Sequence, residues 1–241
     1  MARRKASLTR VIAGVTLVGM LGLLGYFFYL QFKSEPAGKT EGFRPLSEGF
    51  YSHGIDVSHY QGKIDWDQLI KNSSVKISFV FCKATEGTQV IDGQWRRNQK
   101  ALRERKIPLG AYHYFRPNID PTLQARFFLK HYKAKNNDLP PVIDVEEEGE
   151  DEIALINDVK RWMDVVEEKT GKRPIIYTNY YMFANLFEPY FRDYKFWIAN
   201  YNDKPERMQD DRILYWQYSD RGKVPGIEGF VDLNMSKVKF D

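Results

Sequence analysis

The stretch GIDVSHYQGKIDW (residues 54–66) sets a carboxylate inside a predicted strand. Its first residues have the apolar, β-branched character of a buried strand, yet Asp56 stands between Ile55 and Val57. A buried charge without a partner is costly, or its pKa shifts until the group becomes neutral. The rest of the chain must therefore supply either a partner for Asp56 or a reaction that uses it.

Strand-like and helix-like segments alternate from residue 49 onward. Eight short segments that are rich in β-branched and aromatic residues predict strands: FYSHGIDVS, KISFVFCKA, PLGAYHYF, PPVIDVE, RPIIYTN, KFWIANY, ILYWQYS and GFVDLNM. Helical patterns separate the first six. This alternation predicts an α/β fold with a parallel sheet, closed as a TIM-like β/α barrel of eight strands. Only short loops separate the last three strands, so we expect an incomplete helical ring.

Carboxylates stand at the ends of three of these strands. Asp144 and Glu146 end the fourth strand, and residues two apart on a strand project from the same face. Asp232 lies in the eighth strand, which neighbours the first strand in a barrel. We therefore expect Asp56, Asp144, Glu146 and Asp232 to converge at the carboxyl-terminal mouth. Taken singly, Asp56 or Asp232 equally well predicts a loop cap or an ion pair.

Crowded carboxylates repel one another, so at least one should keep its proton near neutral pH. A protonated acid beside an ionised one is the equipment of glycoside hydrolysis. Aromatic faces suit the apolar sides of sugar rings, and tyrosine hydroxyls can bond sugar oxygens. The candidate substrate-binding residues are Tyr112, Tyr114, Tyr177, Trp197 and Tyr201. For each of them, an ordinary core position is the alternative.

Seven segments of the chain resemble, in order and spacing, those of glycoside hydrolase family 25, the Chalaropsis-type lysozymes. They are GIDVSHYQGKIDW, FCKATEG, GAYHYF, PVIDVE, IIYTN, FWIANY and WQYSDRGKVPGIEGFVDLN. The resemblance runs from about residue 54 to the C-terminus. It implies cleavage of the β-1,4 bond between N-acetylmuramic acid and N-acetylglucosamine in peptidoglycan. It also implies that Glu146 is the general acid, Asp144 its close carboxylate partner, and Asp56 and Asp232 the flanking acids. For the mechanism, we expect Asp144 to remain ionised.

Other chemistries fit the sequence less well. The four histidines have no compact metal-ligand spacing, and neither a phosphate-binding loop nor a serine-hydrolase elbow is present. We therefore predict no metal and no cofactor. The alternative of another class is a membrane-tethered module that binds peptidoglycan without turnover. The presence of both Asp144 and Glu146 disfavours it, because a binding module needs no proton donor.

The first 48 residues predict a membrane anchor and a tether. Residues 11–32 contain no charge, and about 20 apolar residues are enough to span a bilayer as a helix. A cleavable signal peptide is the alternative, but this segment ends in bulky aromatics rather than in small residues. We predict a basic cytoplasmic flank (1–10), a transmembrane helix (11–32), a flexible linker (33–48) and a catalytic barrel (49–241). The barrel should face the periplasm or the exterior and fold without residues 1–48.

The charge balance of the barrel disfavours nucleic acid as a partner. Residues 1–48 hold seven of the 36 basic and three of the 32 acidic side chains, so the remainder carries 29 of each. A neutral domain lacks the basic face that nucleic-acid binding requires. The single cysteine, Cys82, excludes an intramolecular disulfide.

Overall fold

The computed structural model describes residues 42–202 and 204–240. The predicted basic flank (1–10), the predicted transmembrane helix (11–32) and most of the predicted linker lie outside these residues. Within the described ranges, no helix combines the length and the apolar character that a membrane crossing requires.

All eight predicted strands are present, together with a short ninth. The strands are β1 (Ser52–Val57), β2 (Ile77–Glu86), β3 (Val90–Ile91), β4 (Leu109–Tyr114), β5 (Val142–Asp144), β6 (Ile175–Asn179), β7 (Phe196–Ala199), β8 (Ile213–Gly222) and β9 (Val231–Ser236). They pair in the order β1-β9-β8-β7-β6-β5-β4-β2-β3, and β1 also pairs with β2. The pairing of β1 with β2 closes eight strands into a barrel, which confirms the predicted closure. The remaining strand, β3, is a short extension of the sheet beside β2.

The barrel sheet is mixed rather than wholly parallel. β9 runs antiparallel to both of its neighbours, β8 and β1. The expectation of a parallel sheet is therefore wrong for this strand. The reason is the connection between β8 and β9, residues 223–230, because a parallel crossover needs a dozen or more residues.

Helices cover the outside of the barrel between the first strands. They are α1 (Trp66–Asn72), α2 (Trp95–Glu104), α3 (Pro121–His131), α4 (Glu152–Thr170) and the short α5 (Tyr180–Met182), which continues as a π-helical turn, Phe183–Phe187. The long α4 shows how the sequence sets helix ends. The side chain of Asp151 accepts a hydrogen bond from the amide of Ala154, and Gly171 ends the helix in the left-handed conformation (φ 68°).

The strands separate two hydrophobic cores. On β1, Ile55 and Val57 pack in the outer core with residues of the covering helices. The intervening Asp56 faces the barrel interior. The inner core is largely aromatic, with Phe81 stacked on Trp197 at 4.4 Å between ring centroids. The alternation in the opening stretch thus places Asp56 inside a closed barrel.

Candidate active site

Strand register brings the predicted carboxylates to one end of the barrel. Asp56 on β1 lies directly opposite Asp232 on β9. Because β9 is antiparallel, its second residue reaches the same mouth as the carboxyl ends of the parallel strands. Asp144 ends β5 and aligns with Tyr114 on one side and Tyr177 on the other.

The four carboxyl groups are arranged as two hydrogen-bonded pairs. Asp56 shares a hydrogen bond with Asp232, and Asp144 shares one with Glu146. The pairs also affect each other, since the charge of Asp56 raises the pKa of both Asp144 and Glu146. The structure therefore gathers all four predicted catalytic residues into one electrostatic unit.

Asp56 is held by neutral amides. One of its carboxyl oxygens, Oδ2, accepts hydrogen bonds from Gln217 Nε2 at 2.9 Å and from Asn234 Nδ2 at 2.7 Å. The residue is only 4% exposed, so these bonds replace the water that it loses on burial. The question posed by Asp56 thus has a structural answer: its partners are two amide groups and a second carboxyl group.

Three aromatic residues fix the orientation of these amides. The indole nitrogen of Trp197, which can only donate, lies 2.7 Å from Asn234 Oδ1. The hydroxyls of Tyr177 and Tyr201 donate to Gln217 Oε1 at 2.8 and 2.7 Å. Each amide oxygen is therefore occupied, and each amide N–H group must point toward the carboxylate.

The environment of the first pair assigns its proton to Asp232. Burial, followed by the nearby charge of Asp56, raises the pKa of Asp232 to about 9. Burial also raises the pKa of Asp56, but the hydrogen bonds from Gln217, Asn234 and Asp232 oppose that rise. At neutral pH, Asp232 therefore donates a hydrogen bond to an ionised Asp56.

The second pair also keeps a proton. Burial, followed by the charge of Glu146, holds the pKa of Asp144 well above its usual range. Burial raises the pKa of Glu146 as well, while its hydrogen bond with Asp144 opposes this. The mechanistic expectation was an ionised Asp144, whereas the structure gives Asp144 the stronger tendency to hold the proton, because Asp144 is fully buried and Glu146 keeps part of its side chain exposed at the mouth.

The five predicted substrate-binding aromatics divide by exposure. Tyr112, Tyr177 and Trp197 lie in the inner core, and Trp197 is only 1% exposed. A sugar platform needs an accessible ring face, so in this structure Trp197 serves as a hydrogen-bond donor to Asn234 instead. Tyr201 is 48% exposed, and Tyr114 is half-buried. These two present their rings at the mouth.

A charged cluster immobilises Tyr114. Lys83 and Arg116 each lie over its ring, at 4.7 Å from the centroid. Glu86 links these cations, accepting from Lys83 Nζ at 2.7 Å and from Arg116 at 2.6 Å, and Glu147 pairs with Arg116 from the other side. The sequence did not predict this cluster or the roles of Gln217 and Asn234. Their only sequence signal is polar side chains in or beside apolar strands.

The candidate site combines a carboxyl pair that holds a proton, a second carboxyl pair and exposed tyrosines. This combination is typical of the glycoside hydrolases as a class. Residues 55–227 match the family described as Glycosyl hydrolases family 25. The chain belongs to this family.

Individual relatives and one solved structure are similar to this chain over most of its length. The chain is 38% identical to "Uncharacterized protein YegX" of Escherichia coli K12 over 204 residues, covering 80% of this chain and 75% of the relative. It is 29% identical to "Lysozyme M1" of Streptomyces globisporus, covering 75% of this chain and 66% of the relative. The structure of a family 25 glycosyl hydrolase from Bacillus anthracis superposes with a TM-score of 0.74 at 26% identity, covering 84% of this chain and 96% of the other.

Proposed function

We propose that this protein is a peptidoglycan hydrolase that cleaves the β-1,4 bond between N-acetylmuramic acid and N-acetylglucosamine. The observation that carries the proposal is the Asp144–Glu146 pair, which keeps a proton at the mouth of the barrel. Proteins named lysozymes and a muramidase are among its relatives. Catalysis by two carboxyl groups is the usual chemistry of glycosidic bond cleavage.

Glu146 is the member of its pair that meets the substrate, because it is exposed and lines the cleft. Its hydrogen bond with Asp144 lets the proton of the pair reach Glu146, which donates it to the departing sugar oxygen. Asp144 is then left ionised, and its negative charge stabilises the positive charge that develops on the sugar ring. Water completes hydrolysis at the anomeric carbon and returns a proton to the pair.

Asp56 and Asp232 support this reaction from the opposite side. Their shared proton fixes one negative charge on Asp56, and the amides of Gln217 and Asn234 keep that charge in place. The charge raises the pKa of both Asp144 and Glu146. The first pair therefore helps the second pair to retain its catalytic proton at neutral pH.

Mass spectrometry of digested peptidoglycan tests the proposal. We expect new reducing ends of N-acetylmuramic acid with the wild-type protein and none with Glu146→Gln. New reducing ends of N-acetylglucosamine would identify a glucosaminidase instead. Binding to peptidoglycan without any new reducing end would favour the alternative of a membrane-tethered binding module.

We also propose that residues 11–32 hold the protein in the cytoplasmic membrane as a single-pass anchor, with the barrel on the periplasmic or extracellular side. The support is their uncharged, apolar sequence and the basic flank before it. N-terminal sequencing of protein recovered from the cell envelope tests this. A mature chain that begins after residue 32 would contradict a retained anchor.

A further inference from the structure

A cleft of about 630 Å³ leads away from Glu146 between the mouth ends of β6 and β7. Tyr177 and Tyr201 form the part of its wall that belongs to the active site. Farther along, the wall is made of tyrosine, asparagine and arginine side chains, including Tyr181, Asn200 and Arg207. The lining of the cleft thus includes both an acid, Glu146, and a cation, Arg207.

Asn200 lines this cleft and has a buried side-chain nitrogen without a hydrogen-bond partner among the described residues. The residue is 5% exposed, and its Nδ2 has no hydrogen-bond partner among the residues that the structure describes. Its backbone is fixed, because its carbonyl accepts from Trp216 Nε1 at 2.8 Å and its amide donates to the carbonyl of Gln217 at 3.0 Å. These bonds fix the backbone of Asn200 and leave its side-chain amide as a donor that an acceptor in the cleft can satisfy once the amide turns toward it.

Arg207 supplies the charge. Its guanidinium lies 5.0 Å from the centroid of the Tyr180 ring, and the residue is half-buried. It forms no ion pair with a carboxylate within residues 42–202 and 204–240, whereas Arg116 at the same mouth is paired with both Glu86 and Glu147. The guanidinium fork matches a carboxylate in geometry as well as in charge.

We propose that Arg207 and Asn200 form a subsite for a carboxylate that the substrate carries beside the scissile bond. This inference rests on the proposed function. In peptidoglycan, the lactyl ether of muramic acid ends in a carboxyl group, which is either free or amide-linked to a short peptide with carboxylates of its own. Both sources offer the same chemistry. The sugar then lies at Glu146 and the anionic substituent at Arg207.

Three substrates separate the two sources. The first is glycan that retains its peptides, and the second is glycan stripped by an amidase, which has free lactyl carboxylates. The third is the stripped glycan after carbodiimide coupling to methylamine, which is neutral. The full-length wild-type protein, Arg207→Gln, Arg207→Lys and the matched control Lys204→Gln are compared on each. Lys204 is exposed in the same loop and does not line the cleft.

We expect Arg207→Gln to lower kcat/KM by about tenfold on a carboxylate-bearing substrate, the usual order for a half-exposed charge-assisted contact. A loss on the first substrate assigns the peptide as the source, and a loss on the second assigns the lactyl group. The methylamidated glycan should show no loss, Arg207→Lys should recover part of the rate, and Lys204→Gln should resemble the wild type. An equal loss on all three substrates, or no loss on any, overturns the proposal.

A binding measurement separates this inference from the proposed function. Calorimetry with soluble glycan fragments compares Glu146→Gln with the double variant Glu146→Gln/Arg207→Gln. We expect about tenfold weaker binding of the carboxylate-bearing fragments by the double variant. If the wild type produces no reducing ends but binding still depends on Arg207, the proposed function fails and the subsite stands. Equal binding by both proteins refutes the subsite, whether or not hydrolysis occurs.

Discussion

At the scale of single residues, the position of protons decides what this site does. Glu146 combines exposure at the mouth with a raised pKa, which are the two properties that a proton donor needs. Asp144 is buried, and its Oδ1 has no hydrogen-bond partner among the described atoms. The exposed member of the pair is therefore suited to reach the leaving oxygen, and the buried member to retain the proton that the pair supplies.

Glu146→Gln tests the donor directly. Glutamine keeps the shape of the side chain but cannot supply the proton, so we expect kcat to fall about 10²–10⁴-fold, the usual contribution of general acid–base catalysis. Release of reducing sugar from purified peptidoglycan measures the effect. Glu150→Gln is the matched control, since Glu150 is an exposed acid in the same loop. Near-wild-type hydrolysis by folded Glu146→Gln would remove this residue from the mechanism.

Asp232 gives a second prediction, on stability. Its pKa is about 9 in the folded protein against 3.8 as the ordinary value, so between these pH values the folded chain holds a proton that the unfolded chain has released. The free energy of unfolding therefore falls as pH rises through this window, by up to about 1.4 kcal/mol per pH unit. Asparagine resembles the protonated acid and does not titrate, so Asp232→Asn should remove this loss.

Urea unfolding from pH 4 to pH 8 measures how the free energy of unfolding depends on pH. We expect the free energy of unfolding of Asp232→Asn, relative to that of the wild type, to increase with pH. We also expect the rate of hydrolysis near neutral pH to fall less for Asp232→Asn than for Asp56→Asn. The exposed Asp220 serves as a control, since Asp220→Asn should leave the pH dependence nearly unchanged. A constant difference between wild type and Asp232→Asn would mean that Asp232 is ionised in the folded protein.

At the scale of strands and helices, close packing inside the barrel sets the position of the site. Gly110 on β4 faces the interior next to Phe81 on β2. The Phe81 ring is itself confined, because it stacks on Trp197 at 4.4 Å and meets Tyr215 edge-on at 4.9 Å. Trp197 in turn orients Asn234. The aromatic interior is therefore mechanically connected to the amide that holds Asp56.

Gly110→Ala tests this packing. A Cβ atom at Gly110 would lie 2.1 Å from Phe81 Cδ1, and the Phe81 ring packs against Trp197 and Tyr215. We expect a loss of about 1–3 kcal/mol in the free energy of unfolding, the usual cost of overpacking a core. Gly93→Ala is the control, because nothing lies within 4 Å of the added methyl group. If both variants unfold at the same urea concentration, the interior is looser than the structure indicates.

The sequence predicted the elements better than their directions and contacts. Each barrel strand carries its own local pattern, and the positions of four carboxylates along the strands sufficed to predict that these groups lie together at one mouth. The antiparallel direction of β9 depended on loop length, which the alternation pattern does not report. The roles of Gln217 and Asn234 depend on the register that sets these residues opposite each other, a property of paired strands that a single segment does not contain.

At the scale of the whole molecule, we expect the boundary of the catalytic unit to lie before residue 49. The linker was predicted to include residues 33–48, yet part of it contacts the barrel. Phe43 packs on the outer core, with its ring 5.3 Å from that of His53. The backbone amide of Arg44 lies 3.4 Å from the hydroxyl of Tyr218, and its guanidinium lies 5.3 Å from the ring centroid. These contacts belong to the fold.

Two truncated proteins locate the boundary. Removal of residues 1–41 leaves these contacts intact, whereas removal of residues 1–48 exposes the surfaces that Phe43 and Arg44 cover. Burial of one aromatic side chain is worth about 1.5–3 kcal/mol when complete, so for the partly buried Phe43 we expect the shorter protein to lose about 1–2 kcal/mol in the free energy of unfolding. Both should still hydrolyse peptidoglycan, since every residue of the carboxyl pairs is retained.

Urea unfolding measures the difference in stability between the two truncated proteins, and Phe43→Ala in the longer protein should reproduce most of it. Equal stability of the two would return residues 42–48 to the linker, and failure of the longer one to fold would place the boundary still earlier.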